Sequence, residues 1–200
     1  MAAEHLGPWD PMPLERLVER VADAPFRWWI TGGHALELHL GQSWRAHDDT
    51  DLGIRRLDAP AVHRHFEGWD LHTAASGVLQ RWDGSPLPDA DGDHQVNNVW
   101  CRLDPNGPWV LDITVGAGDD EWWVYRRDRT LSRPWSGAVL RDPDGVAYLA
   151  PELQLLFKSK APRAKDDLDA EIVIPELSAD RRSFLARWLA TGHPWRRWLD

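Results

Sequence analysis

Two hundred residues, 42% of them hydrophobic, can bury one sizeable core plus a small appendage, and they exclude two large independent domains. The formal net charge of −9 argues against a surface that wraps a phosphate backbone, and the single cysteine, Cys101, excludes an intramolecular disulfide and points to a reducing cytoplasm. The first residues lack a basic stretch leading into an apolar one, and no apolar run approaches the roughly 18 residues that span a bilayer, so neither export nor a membrane role is expected.

Along the chain, Leu14, Leu17, Val18 and Val21 recur at helical spacing after Pro11 and Pro13, which predicts an opening amphipathic helix ending near Ala24, before Pro25. Phe26 to Ile30 reads as a strand that stops at Thr31-Gly32-Gly33. A short helix through Ala35, Leu36, Leu38 and Leu40 follows, closed by Gly41. Thr50 to Arg55 reads as the next strand, and Asp58 with Pro60 as the cap and first turn of a helix to about Phe66. Strands are then expected at Asp70 to Thr73, Val78 to Trp82, Asn98 to Leu103, Trp109 to Val115 and Trp122 to Tyr125, with a polar loop from Asp83 to Gln95. From Pro151 the pattern turns helical: Leu153 to Phe157, a mixed-charge stretch from Lys158 to Glu171 read as solvated, and Phe184 to Leu189. The division expected is a core over residues 1–145 and a helical segment over 146–200 packed on it. The 14 tryptophans, including the pairs Trp28-Trp29 and Trp122-Trp123, are expected mostly in the core or a lid.

The chemistry concentrates in Thr31 to Asp51. Side chains at i and i+2 of a strand share a face, so Asp49 and Asp51 can present two carboxylates to one point, a donor set suited to a hard divalent cation beside a triphosphate. Gly32 and Gly33, between a strand and a helix, let backbone N–H groups approach phosphate, and Thr31 can add a hydroxyl. Asp112, an acid between the apolar neighbours of Trp109 to Val115, calls for an explanation, and either a metal or a structural hydrogen-bond set would supply one. Lys158 and Lys165 are candidates to neutralise the triphosphate, and Glu121 and Trp122 to line an acceptor pocket by charge and cation–π contact. His63 and His65 are spaced as HxH without a partner cluster and read as surface histidines.

The stretch Trp29-Ile30-Thr31-Gly32-Gly33-His34-Ala35-Leu36-Glu37 through Leu40-Gly41, then Arg45-Ala46-His47-Asp48-Asp49-Thr50-Asp51, resembles the WxxGGWAxDxxLG and RxHxDxD signature of the DNA polymerase β-like nucleotidyltransferases. Within them it is most similar to the aminoglycoside and lincosamide adenylyltransferases. His34 stands where many relatives have Trp, and Glu37 where several have Asp. Pro151-Glu152-Leu153 through Lys160, with Arg163, Lys165, Asp166 and Asp169, resembles the helical segment that follows the family's core.

The resemblance implies an α/β (α+β) nucleotidyltransferase fold, a mixed β-sheet flanked by helices with a small C-terminal helical segment. It implies Asp49 and Asp51 as magnesium ligands and Asp112 as base or third ligand, with one or two ions. The implied reaction moves a nucleoside monophosphate, AMP from ATP first among the choices, to a hydroxyl of a small acceptor such as an aminoglycoside or lincosamide antibiotic, and releases pyrophosphate. A toxin-type transferase acting on tRNA or protein, and a nucleotide-binding module without catalysis, are the alternatives.

Overall fold

The computed structural model describes residues 6–87 and 95–199; residues 88–94 of the expected polar loop lie outside the described residues. Its elements in chain order begin with α1 (Leu14–Val21), β1 (Trp28–Ile30), α2 (Gly32–Leu40), β2 (Asp51–Arg55), α3 (Ala59–His65), β3 (Asp70–Ala75), β4 (Val78–Arg81), β5 (Asn98–Arg102) and β6 (Leu111–Gly118). They continue with β7 (Trp122–Val124), β8 (Ser132–Pro134), α4 (Trp135–Ala138), β9 (Val139–Arg141), β10 (Ala147–Leu149), α5 (Pro151–Lys158), α6 (Ala164–Glu176) and α7 (Ala179–Trp188).

The strands form one mixed sheet in the order β4-β3-β5-β6-β2-β1-β10-β9, with β7 added on β6 and β8 on β7. β2 runs parallel to β6, and β1 parallel to β10, while the other neighbours are antiparallel. β10 joins β1 from beyond position 145, so the core sheet extends past the expected division.

Local signals account for most of this. Leu17 and Val21 of α1 are fully buried, as their spacing requires, although the helix stops at Val21 rather than Ala24. Gly41 closes α2 with φ 66°, a left-handed conformation that a side chain would strain, and its N–H donates to the Glu37 carbonyl. Ser76 and Gly77 both have positive φ and make the two-residue turn between β3 and β4. Pro60 begins α3 as expected, but the Asp58 carboxylate does not cap it: it accepts from Arg55 Nε and Nη2 at 2.6 and 2.8 Å. His63 and His65 are half-buried, not fully on the surface, and contact the Trp82 and Arg20 carbonyls at 3.3 and 2.9 Å.

In β6, Leu111, Ile113, Val115 and Ala117 alternate inward with Asp112, Thr114 and Gly116 on the other face. The inward face meets Leu17, Val62 and Phe66 in one hydrophobic cluster. A second cluster gathers Trp29, Leu36, Trp123 and Trp135 with Leu153, Val173 and Trp195, and so fastens α5, α6 and the C-terminal turn to the sheet. The mixed-charge stretch is therefore half of a packed helix rather than a solvated one: Asp166 and Asp169 are 2% and 0% exposed.

Candidate active site

Sheet register places the acids. Asp51, the first residue of β2, stands beside Asp112 of β6, and Trp100 of β5 stands on Asp112's other side. Side chains of directly paired residues share a face, so Asp51 and Asp112 project together from the face opposite the inward cluster. Asp49 lies in the loop before β2, not in the strand, yet it borders the same cleft as Asp51. This cleft, about 350 Å³, runs from the Gly32-Gly33 turn past Asp49 and Asp51 to Asn98 and Arg126.

Burial raises the Asp112 carboxyl to about pH 7, assisted by Asp49 and opposed by hydrogen bonds from Asn98 and Trp100. Asn98 Nδ2 donates to both Asp112 oxygens, at 2.9 and 3.0 Å. Burial also lifts Asp51 well above the usual carboxylate range, with Asp49 and Asp112 adding to the rise and Lys158 and Lys165 opposing it. Three carboxylates crowded against their own repulsion fit a divalent cation, which would stabilise the ionised form of each.

The glycine turn is needed for a reason other than the one its sequence suggests. A Cβ on Gly32, whose φ is +70°, would come within 2.0 Å of Asp51 Oδ2. A Cβ on Gly33 would come within 2.2 Å of an Arg45 guanidinium nitrogen. The turn thus makes room for the acid and the arginine behind it. The Gly32 N–H donates to Gln154 Oε1 at 3.0 Å. Thr31 borders the cleft with its hydroxyl 3.2 Å from that of Thr114.

Lys158 and Lys165 both border the cleft, and both are engaged within the chain. Lys158 Nζ lies 2.7 Å from Asp166 and 3.0 Å from Asp169, and Lys165 Nζ lies 3.1 Å from Asp48 and 3.9 Å from Asp49. Glu121 and Trp122 do not border the cleft: both are exposed, and the following residue, the buried Trp123, lines it instead. Strand alternation in β7 turns one tryptophan of the pair outward and the other inward. The sequence offers no local signal for Asn98, Gln154 or Arg126. Arg45 lay inside the quoted motif, but its partner Asp169 is 124 residues away.

Beside the cleft, His34, Glu37 and His47 bring three donor atoms within 4.8 Å of one another. Arg45 Nη1 lies 3.1 Å from His47 Nδ1 and can only donate, which leaves the ring proton on Nε2, 3.0 Å from Glu37 Oε2. Glu37 accepts from Ser43 Oγ and the Trp44 N–H at 2.9 and 3.1 Å, whereas the buried His47 Nε2 is close to it without a hydrogen bond. His34 stacks on His47 with ring centroids 3.8 Å apart, and burial together with His47 lowers its pKa to about 4.

The sequence profile of the aminoglycoside-2''-adenylyltransferase family matches residues 13–76, the segment holding the glycine turn, Asp49 and Asp51. A crystal structure of ANT(2'')-Ia in complex with adenylyl-2''-tobramycin superposes with a TM-score of 0.55 at 13% identity, covering 88% of this chain and 94% of that one. A solution structure of ANT(2'')-Ia superposes at 0.56 with 15% identity, over 87% of each chain. The lincomycin-bound lincosamide adenylyltransferase LnuA superposes at 0.53 with 16% identity, over 80% of this chain and 95% of that one. No curated protein matches the chain by sequence. The expected mixed sheet flanked by helices is borne out, and so is the resemblance to the antibiotic nucleotidyltransferase type. Among the described residues, no helix is long and apolar enough to cross a membrane.

Proposed function

We propose that the protein is a divalent-metal-dependent nucleotidyltransferase that moves a nucleoside monophosphate, AMP from ATP in the first instance, to a hydroxyl of a small molecule. The observation that carries this reading is the carboxylate set of Asp49 and Asp51, which border the cleft, with Asp112 beside Asp51 on the adjacent strand. Two of the three are pushed toward protonation by burial and by one another. Retaining uncompensated acids in a partly buried place is costly for folding alone, which favours a functional explanation.

Asp49 and Asp51 would hold magnesium, with Asp112 as third ligand or base. When bound, the ion supplies charge neutralisation of the triphosphate and of the developing pyrophosphate. Asp112, poised near neutral pH and oriented by Asn98 through both carboxylate oxygens, is suited to accept the proton of the acceptor hydroxyl. That oxygen then bonds to the α-phosphorus as the bond to the bridging oxygen breaks and pyrophosphate leaves. The remaining catalysis is positioning, for which the cleft is bounded by Thr31, the glycine turn and Lys158.

The test is incubation with magnesium, each α-labelled nucleoside triphosphate and a panel of aminoglycosides, lincosamides and other hydroxylated small molecules, with tRNA and protein as further arms. Label should pass to a small molecule with release of one pyrophosphate, and Asp51→Asn should lower the rate by about a thousandfold or more. Transfer undiminished in Asp51→Asn would overturn the metal assignment.

A further inference from the structure

Seven of the cleft's lining side chains are lysine or arginine and three are aspartate, in a chain whose formal net charge is −9. Most of these cations are answered from within. Arg45 pairs with Asp169 at 2.8 Å, Lys158 with Asp166 and Asp169, Arg163 with Asp166, and Lys165 with Asp48. Arg126 is different. It is half-buried, rests 5.6 Å from the centroid of the Phe157 ring, and has no anionic or hydrogen-bonding side-chain partner among the described residues. Burial and the neighbouring Arg127 lower its pKa, the mark of a guanidinium without compensation.

Its position follows from the strand order. Across the sheet the Gly32 turn follows β1, Asp51 opens β2, Asp112 lies on β6, Asn98 on β5, and Ala74 and Ala75 on β3. A triphosphate held at the glycine end therefore leaves the β5 and β3 side of Asp112 for the acceptor. On that side a second cavity, about 520 Å³, is lined among the described residues by Ala74, Ala75, Ser76, Gln95, Asn97, Asn98 and Arg126, none of them a carboxylate. Arg126 and Asn98 border both cavities.

We infer that Arg126 is a specificity-determining residue that binds an anionic group, carboxylate or phosphate, on the acceptor. The preferred acceptor is thus an acidic hydroxylated molecule rather than a polycationic aminoglycoside. This rests on the nucleotidyltransferase reading above. An acceptor carrying several ammonium groups would meet a guanidinium of like charge on this side, whereas a planar fork of donors suits an oxyanion.

The experiment is isothermal titration calorimetry on the full chain, with and without magnesium and α,β-methylene ATP. The titrants are glucose 6-phosphate, glucuronate, lincomycin and tobramycin. One of the two anions should bind at least tenfold more tightly than tobramycin, and which one binds identifies phosphate or carboxylate as the recognised group. Arg126→Gln should weaken that anion about tenfold, Arg126→Lys should recover part of the loss, and the ATP analogue should bind all three proteins within twofold. Melting temperatures confirm that the variants fold. Tobramycin binding more tightly than both anions overturns the inference, as does the absence of binding by either anion. A loss of analogue affinity in Arg126→Gln with anion binding unchanged would place Arg126 on the triphosphate and also overturn it. Failure of the analogue to bind the unaltered protein counts against the nucleotidyltransferase reading instead, and is distinguished from the acceptor question by the titrations without nucleotide.

Discussion

The protein contains two sets of poorly exposed carboxylates that its surroundings treat in opposite ways. Asp51 and Asp112, on adjacent strands, face each other and Asp49, and their pKa values are raised. Asp166 and Asp169, on α6, are at least as well buried, but each is ringed by donors and held below the usual range. Asp169 alone accepts from Trp44 Nε1, from Arg45 through two nitrogens at 2.8 and 2.9 Å, and lies 3.0 Å from Lys158. Residue type is constant across the two sets and none of the four is exposed, so the supply of cations decides. The compensated acids fasten the C-terminal helices to the loop that carries Asp49, and the uncompensated ones remain available to a ligand.

The largest effect should come from breaking the compensated set. Asp169→Ala leaves the Arg45 guanidinium and the Lys158 ammonium short of a buried partner, and is expected to cost about 3–5 kcal/mol of stability in urea denaturation. Asp51→Ala, at a half-buried site, should cost far less, because it removes a repelled charge. Equal losses for the two would abolish the distinction between the sets.

Asp112→Asn sharpens the same contrast through its sign. With a folded-state pKa of about 7 against an ordinary value of 3.8, Asp112 holds a proton that the unfolded chain has lost over that interval. Its contribution to stability is therefore fully present below about pH 3.8 and lost as pH rises through about 7. The amide escapes that loss. In magnesium-free buffer Asp112→Asn should match the parent near pH 4 and exceed it by about 1–3 kcal/mol at pH 8; residual solvent contact makes this less than the ~1.4 kcal/mol per pK unit of full linkage. Thermal melts over that range check it, and magnesium at pH 8 should narrow the gap by stabilising the parent alone. Transfer activity should fall in the variant at every pH.

Gly32→Ala tests whether the turn exists for the acid. The added Cβ would meet Asp51 Oδ2 at 2.0 Å in a backbone with φ +70°. A stability loss of about 1–2 kcal/mol is expected, with a drop in magnesium-dependent transfer out of proportion to it. Recovery of the stability loss in Gly32→Ala combined with Asp51→Ala would assign the strain to the carboxylate contact.

How far the sequence discloses these sets depends on the range of the contacts. The glycine turn, Asp49 and Asp51 fall within twenty-odd residues, and local spacing points to them, as β6 alternation does to Asp112. In the sequence the compensated set has the look of a solvated charge run because its partners are distant: Trp44 and Arg45 meet Asp169 across 125 and 124 positions. The short strands β8, β9 and β10, three residues each, carry too little alternation to stand out, and only pairing fixes them: β8 with β7, β10 with β1, and β9 with β10. Arg126 has no periodic signal at all, since what distinguishes it is the lack of a partner in three dimensions.

The smallest expected effect separates two adjacent tryptophans. Charge and aromaticity alone favoured Trp122 beside Glu121 as an acceptor platform, yet Trp122 is 44% exposed and outside the cleft, while Trp123 is 2% exposed and lines it. Trp122→Ala should change stability by less than about 0.5 kcal/mol, as surface substitutions generally do, and leave transfer kinetics within twofold. Trp123→Ala removes a ring packed against Tyr125 and Phe157, with centroids 6.1 and 6.2 Å away, and should cost about 3–5 kcal/mol. If Trp122→Ala instead raised the acceptor KM severalfold with stability unchanged, the acceptor would have to extend out of the cleft over the outer face of β7. Arg126 would then be one end of a longer binding surface, and the uncompensated acids would serve a substrate larger than the two cavities enclose.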